Sequence, residues 1–161
     1  MHDVLAELQK PKTSKKPESW RLKEEDVNQF VDAALASKKR IGLRKLRFEF
    51  DQSGALGATA VINMNDIKLE GFAIRAFKTM LSGTHTLKTK GRLLVKNAKG
   101  VFEIDKASFD DVWVPAWFAS SVIAFAGRKQ PPHIDITEEF SLPYGISDVR
   151  ITGGQAEIIR K

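Results

Sequence analysis

From Leu43 onward the side chains alternate. Leu46, Phe48 and Phe50 stand between Lys45, Arg47 and Glu49, the two-residue period of a strand with one buried face. Asp51-Gln52-Ser53-Gly54 reads as a turn and Ala55 to Met64 as the returning strand of a hairpin. Asn63 to Asp66 form a further polar break. The alternation resumes from Thr84 to Lys96, Asn97-Ala98-Lys99-Gly100 supplies a turn, and Val101 to Val114 reads as a long return strand. Asp110-Asp111 interrupts that strand between Phe109 and Val112, as a bulge or a rim. Three last strands are predicted over Ile134 to Leu142, Ile146 to Thr152 and Gln155 to Arg160, with Pro143-Tyr144-Gly145 and Gly153-Gly154 as turns.

Two segments carry the helical period instead. Val27, Phe30, Val31, Ala34 and Leu35 make one apolar stripe within a helix from about Lys23 to Ser37. Glu24, Glu25 and Asp26 in its first turn and Lys38 to Arg40 at its end suit the helix dipole. Pro115 opens a second helix and Gly127 closes it. Met1 to Gln9 suit a short helical turn, and Lys10 to Ser19, with two prolines and four lysines, reads as a basic linker. Ile67 to Leu81 fits a strand or a short helix, with extended structure favoured in its first half. The predicted fold class is α+β: a curved, mostly antiparallel sheet of about seven strands wrapped on one or two helices. Residues 1–19 form an N-terminal segment and linker, and residues 20–161 a single domain.

The charge is uneven. The 161 residues carry a formal net charge of +6, yet residues 100–161 hold 6 Lys and Arg against 9 Asp and Glu. Basic clusters lie at Lys10 to Lys16, Lys38 to Arg47 and Lys88 to Lys99. They suit a solvated face, an anionic membrane surface or nucleic acid. No recognition helix or RNA-binding signature accompanies them, which disfavours nucleic acid. The chain has no cysteine, so disulfides and thiol chemistry are excluded. His2, His85 and His133 lack metal-ligand spacing, and no phosphate-binding loop or nucleophile elbow occurs. The expectation is a protein without catalysis, metal or cofactor.

The second helix is the most informative segment. Trp113, Trp117, Phe118 and Phe125 fall within thirteen positions, with Val122 and Ile123 among them. One face of a small sheet cannot cover a helix so apolar, so the rest meets further protein, a partner or a ligand. Plain core packing and the wall of a lipid cavity are the two readings.

The segments WRLKEEDVNQFV, LRKLRFEFDQSGALGATAVINM, VWVPAWFASSVIAFAG and FSLPYGISDVRITGGQAEIIR, in that order, resemble the tubular lipid-binding (TULIP-like) proteins of the bacterial cell envelope, in a short single-module form. The resemblance spans residues 20–160 and lies in the order of features. It implies a sheet wrapped on a helix around an apolar cavity, and binding or transfer of lipid. Trp113, Trp117, Phe118, Val122 and Phe125 would contact that ligand, with Phe72, Ile74 and Phe77 on the facing wall. Lys23 departs from the capping Ser or Thr that often starts such helices. Residues 1–9 carry no export signal, so a cytosolic location competes with the envelope or periplasm. A protein-interaction module with a solid core and a nucleic-acid binder remain the alternatives.

Overall fold

The structure, a computed structural model, describes residues 4–37, 41–66, 82–127 and 138–161, the side chains of Leu5, Phe125 and Ala126 excepted. The predicted segment Ile67 to Leu81 and the stretch from Arg128 to Thr137 lie outside the described residues. The rest is α+β with antiparallel sheets. The elements run α1 (Val4–Gln9), β1 (Glu18–Lys23), α2 (Glu24–Ser37), β2 (Leu43–Phe50), β3 (Leu56–Asn63), β4 (Thr84–Lys96) and β5 (Lys99–Phe109). They continue with β6 (Val112–Trp113), α3 (Ala116–Gly127), β7 (Phe140–Ser141), β8 (Asp148–Thr152) and β9 (Gln155–Arg160). No helix among the described residues is long and apolar enough to cross a membrane.

The described strands form two sheets. The larger has the order β2-β3-β4-β5-β6, with β7 paired to the start of β5; the smaller has the order β1-β9-β8. The larger sheet is irregular between Lys90 and Gly91, where β5 contributes an extra residue, Asp105. A Cβ on Gly91 would stand 1.9 Å from the Glu103 carbonyl, so only glycine lets the two backbones meet at this bulge. Such an insertion bends the strand and increases its twist.

Alternation sorts the faces. Cross-strand partners share a face, so the pairs Leu46–Ala60, Phe48–Ala58, Ala60–Leu87, Leu87–Phe109 and Leu93–Phe102 define an inner surface. Ile62, Met64, Leu87, Ala107 and Phe109 pack there with Phe118, Ala119 and Val122 of α3. The opposite surface carries Arg47, Lys88, Lys90, Arg92 and Lys106, all exposed. A second core joins Leu8 of α1, Leu22, Ile146, Ala156 and Ile158 over the small sheet.

The free edge of β2 is closed by α2. Asn28, only 5% exposed, donates to the Phe48 carbonyl at 2.9 Å and accepts its amide at 2.8 Å. Glu24 accepts the Phe50 amide at 2.9 Å. The backbone groups an edge strand leaves unpaired are thus satisfied by side chains, which also blocks edge-to-edge pairing. At the helix start Asp26 reaches back to the Lys23 amide at 3.0 Å, half of a capping box. That bond offsets the lack of a Ser or Thr at position 23.

Three segments differ from their sequence patterns. Strand β1 begins at Glu18, inside the predicted linker, and α1 is packed back on the small sheet through Leu8, which is 2% exposed. The long Val101 to Val114 strand is broken: Asp110 (φ 49°) and Asp111 (φ 65°) make a two-residue turn, and Val112 and Trp113 return along β5. Of the predicted Ile134 to Leu142 strand, residues 134–137 lie outside the described part, and within the rest Phe140 and Ser141 pair with β5.

Candidate functional site

Helix α3 starts where Pro115 ends the return from β6. The Pro115 carbonyl accepts the Phe118 amide at 3.1 Å, and proline's fixed φ suits a first turn. The sequence AWFASSVIAFAG has only two polar side chains. Ser121 turns its hydroxyl back on the Trp117 carbonyl at 2.8 Å, so it offers little polarity outward. The helix is apolar nearly all round: Phe118, Ala119 and Val122 join the described core, Ala124 is buried as well, Ser120, Ser121 and Ile123 are half-buried, and Trp117 is exposed.

The ligand-contact candidates from the sequence are therefore divided. Phe118 (8% exposed) and Val122 (1%) are core residues, and Phe118 meets Phe109 edge-to-face at 5.5 Å. Trp117 is 54% exposed and lies edge-on to Phe118 at 6.1 Å. Trp113 is 73% exposed. It pairs with Ser108, which pairs with Lys88, so it belongs to the outer surface of the sheet, away from Phe118 and Val122. The Phe125 side chain and Phe72, Ile74 and Phe77 lie outside the described part.

Among the described residues, one surface cleft borders the Trp113 hairpin and another lies away from it, at α2 and β2. One of about 460 Å³ on the outer surface is lined by Glu49, Thr59, Lys88, Lys106, Ser108 and Trp113, among others. The other, about 710 Å³, lies between the end of α2 and the start of β2, at Asp32, Leu35, Ile41 and Arg44. Trp117, Phe118 and Val122 line neither.

A titratable pair stands behind the β5–β6 turn. Asp110 accepts from the Thr86 amide at 2.8 Å through one carboxylate oxygen and from His85 Nδ1 through the other. His85 Nε2 donates to the Ser82 carbonyl at 2.8 Å, and the ring packs on Phe109 at 4.7 Å. The Asp110 carboxylate raises the His85 pKa above its ordinary value, and His85 in turn lowers that of Asp110. Both imidazole nitrogens face groups that only accept, so the imidazolium is the form that satisfies both. Neither nitrogen is left to take a proton from a substrate. On the outer surface Lys90 holds Asp51 at 2.7 Å and, with the Ser53 amide, lowers its pKa to about 2. No group of three metal-ligating side chains occurs among the described residues.

The His85–Asp110 pair and the exposed β6 hairpin have no local sequence signal. Their residues meet only through the β4–β5 register, 25 positions apart. Comparison with protein-family models, curated proteins and solved structures finds no match.

Proposed function

We infer that this chain is a non-enzymatic binder or carrier of a lipid or another apolar molecule, working in the bacterial cell envelope. The observation that carries the reading is Trp117, the large apolar side chain of α3 that stays exposed among the described residues. The inner side of α3 is filled by Phe118, Ala119 and Val122, while Trp117 stays 54% exposed on a helix with almost no polar side chains. Fully burying a large apolar side chain is worth about 1.5–3 kcal/mol, and a ligand laid on Trp117 would supply the part its exposed half has not gained. In this reading Trp117 makes the contact, Phe118 and Val122 form the floor beneath it, and Phe125, Phe72, Ile74 and Phe77 are the remaining wall. The TULIP-like order of segments supports the same assignment.

The packing of Phe118 and Val122 also favours a second reading, a protein-interaction module with a solid core. The two separate on binding of a fluorescent acyl probe, such as a dansylated fatty acid, to the full chain. The lipid reading expects saturable enhancement of probe emission, reduced about tenfold in affinity by Trp117→Ser. No saturable enhancement, with the chain folded by circular dichroism, would leave the interaction module.

A further inference from the structure

The hairpin from Asp110 to Trp113 is built to present apolar side chains to solvent. Val112 is 67% and Trp113 is 73% exposed, at the edge strand of the large sheet. Val112 pairs with Phe109 and Trp113 with Ser108, so the two leave the edge on opposite faces, and an edge apolar on both sides marks a contact surface. The backbone spends two positive-φ residues, Asp110 and Asp111, on holding them there. His85 and the Thr86 amide pin the Asp110 carboxylate, so the hairpin is seated firmly on β4.

The chemistry around Trp113 narrows the partner. Its indole N–H has no hydrogen-bond partner among the described residues, and a ring with a free polar tip suits the headgroup level of a bilayer. The neighbouring cleft holds Lys88, Lys90 and Lys106 against Glu49 and Asp111. Lys88 bonds Asp111 at 3.2 Å and Lys90 bonds Asp51 at 2.7 Å, but Lys106 has no carboxylate partner among the described residues. A cation without a carboxylate beside an exposed tryptophan complements a phosphodiester above and acyl chains at the ring. Nucleic acid would need more than one exposed stacking ring along a basic groove, and among the described residues this surface carries Trp113 alone, at its border.

We propose that the β5–β6 hairpin is a membrane-docking edge: it enters the interface of an anionic phospholipid bilayer edge-on, with Trp113 on the face shared with Lys106 and Val112 on the other, while Lys106 meets a lipid phosphate. This goes beyond the carrier reading, since docking needs no internal ligand. The test is flotation of the full chain with phosphatidylcholine vesicles containing phosphatidylglycerol, read together with tryptophan emission. Emission is expected to shift to the blue on vesicle addition. Trp113→Ser, checked for folding by circular dichroism, should lower partitioning by about tenfold and remove most of the shift. Lys106→Glu should weaken flotation on anionic vesicles more than on pure phosphatidylcholine. Trp20→Phe, in the small sheet, should leave partitioning unchanged. No flotation at low salt, unchanged partitioning of Trp113→Ser, or binding to single-stranded nucleic acid without binding to vesicles would each overturn the proposal. Vesicle docking without acyl-probe binding would sink the carrier reading and leave this one standing, and the reverse result would do the opposite.

Discussion

His85 shows how one side chain couples charge to structure. Its Nδ1–H donates to Asp110 and its Nε2–H to the Ser82 carbonyl, so the fold favours the protonated ring. Its pKa is raised above 6.5 in the folded chain, chiefly by Asp110. A raised folded pKa means that the stabilisation is fully present below the unfolded value and is lost as pH rises through the folded one. Asp110 has the opposite sign: its pKa is lowered from 3.8, so its share is present above that value and is lost as pH falls through the folded pKa. The bridge is therefore strongest between the two. The urea midpoint should fall as pH rises from about 6 to about 9, and His85→Gln should flatten that slope. A His85 pKa at or below 6.5 by NMR titration would contradict the account.

At the scale of elements, turns are the weak points of an alternating pattern. Asn97 (φ 52°) and Ala98 (φ 63°) close the β4–β5 hairpin with two left-handed residues. Asparagine tolerates that conformation, while alanine pays a steric cost of about 1–2 kcal/mol. Part of this returns as unfolded-chain entropy when glycine is substituted. Ala98→Gly should therefore stabilise the protein by about 0.5–1 kcal/mol in chemical denaturation; a lower midpoint would show that the turn is not the one described. Strand β2 was readable because charged and apolar residues alternate cleanly, as in Leu46 to Phe50, and β3, which has no charged residue, because a turn joins it to β2 as a hairpin. The interruption at Asp110-Asp111 was legible too, but not that it is a full turn, since neither residue is glycine and both resemble a polar bulge or rim. Strand β1 carried a legible signal in the inward Trp20 and Leu22 between Ser19, Arg21 and Lys23, masked by the prolines and lysines before it. For α3 the sequence made its apolar character plain, but not which side the sheet covers. That depends on the β4–β5–α3 packing that places Phe118 inside and Trp117 outside.

The N-terminal helix and the small sheet are tied together by a residue that reads as an ordinary terminal cation. Arg160 is 5% exposed and donates twice to Glu18, at 2.9 Å and 2.6 Å. It also reaches the carbonyls of Leu8 and Lys10 at 3.2 Å and 3.1 Å, and its guanidinium lies 5.2 Å from the Trp20 ring. Helix α1, β1 and β9 therefore meet at one planar cation with several donors, a role lysine cannot fill. Arg160→Met should cost about 2–4 kcal/mol, less than a fully buried pair because Glu18 is partly solvated. It should also release α1, seen as faster amide exchange at Leu8 while β4 and β5 keep their protection. Uniform loss of protection instead would show that the small sheet has no independence from the large one. The central functional claim, that α3 has apolar surface meant for a ligand, is tested most directly by native mass spectrometry of the full chain purified without detergent. The account predicts a population heavier than the polypeptide by the mass of a lipid, which organic extraction removes. Only the bare polypeptide mass, unchanged after incubation with a membrane lipid extract, would contradict it.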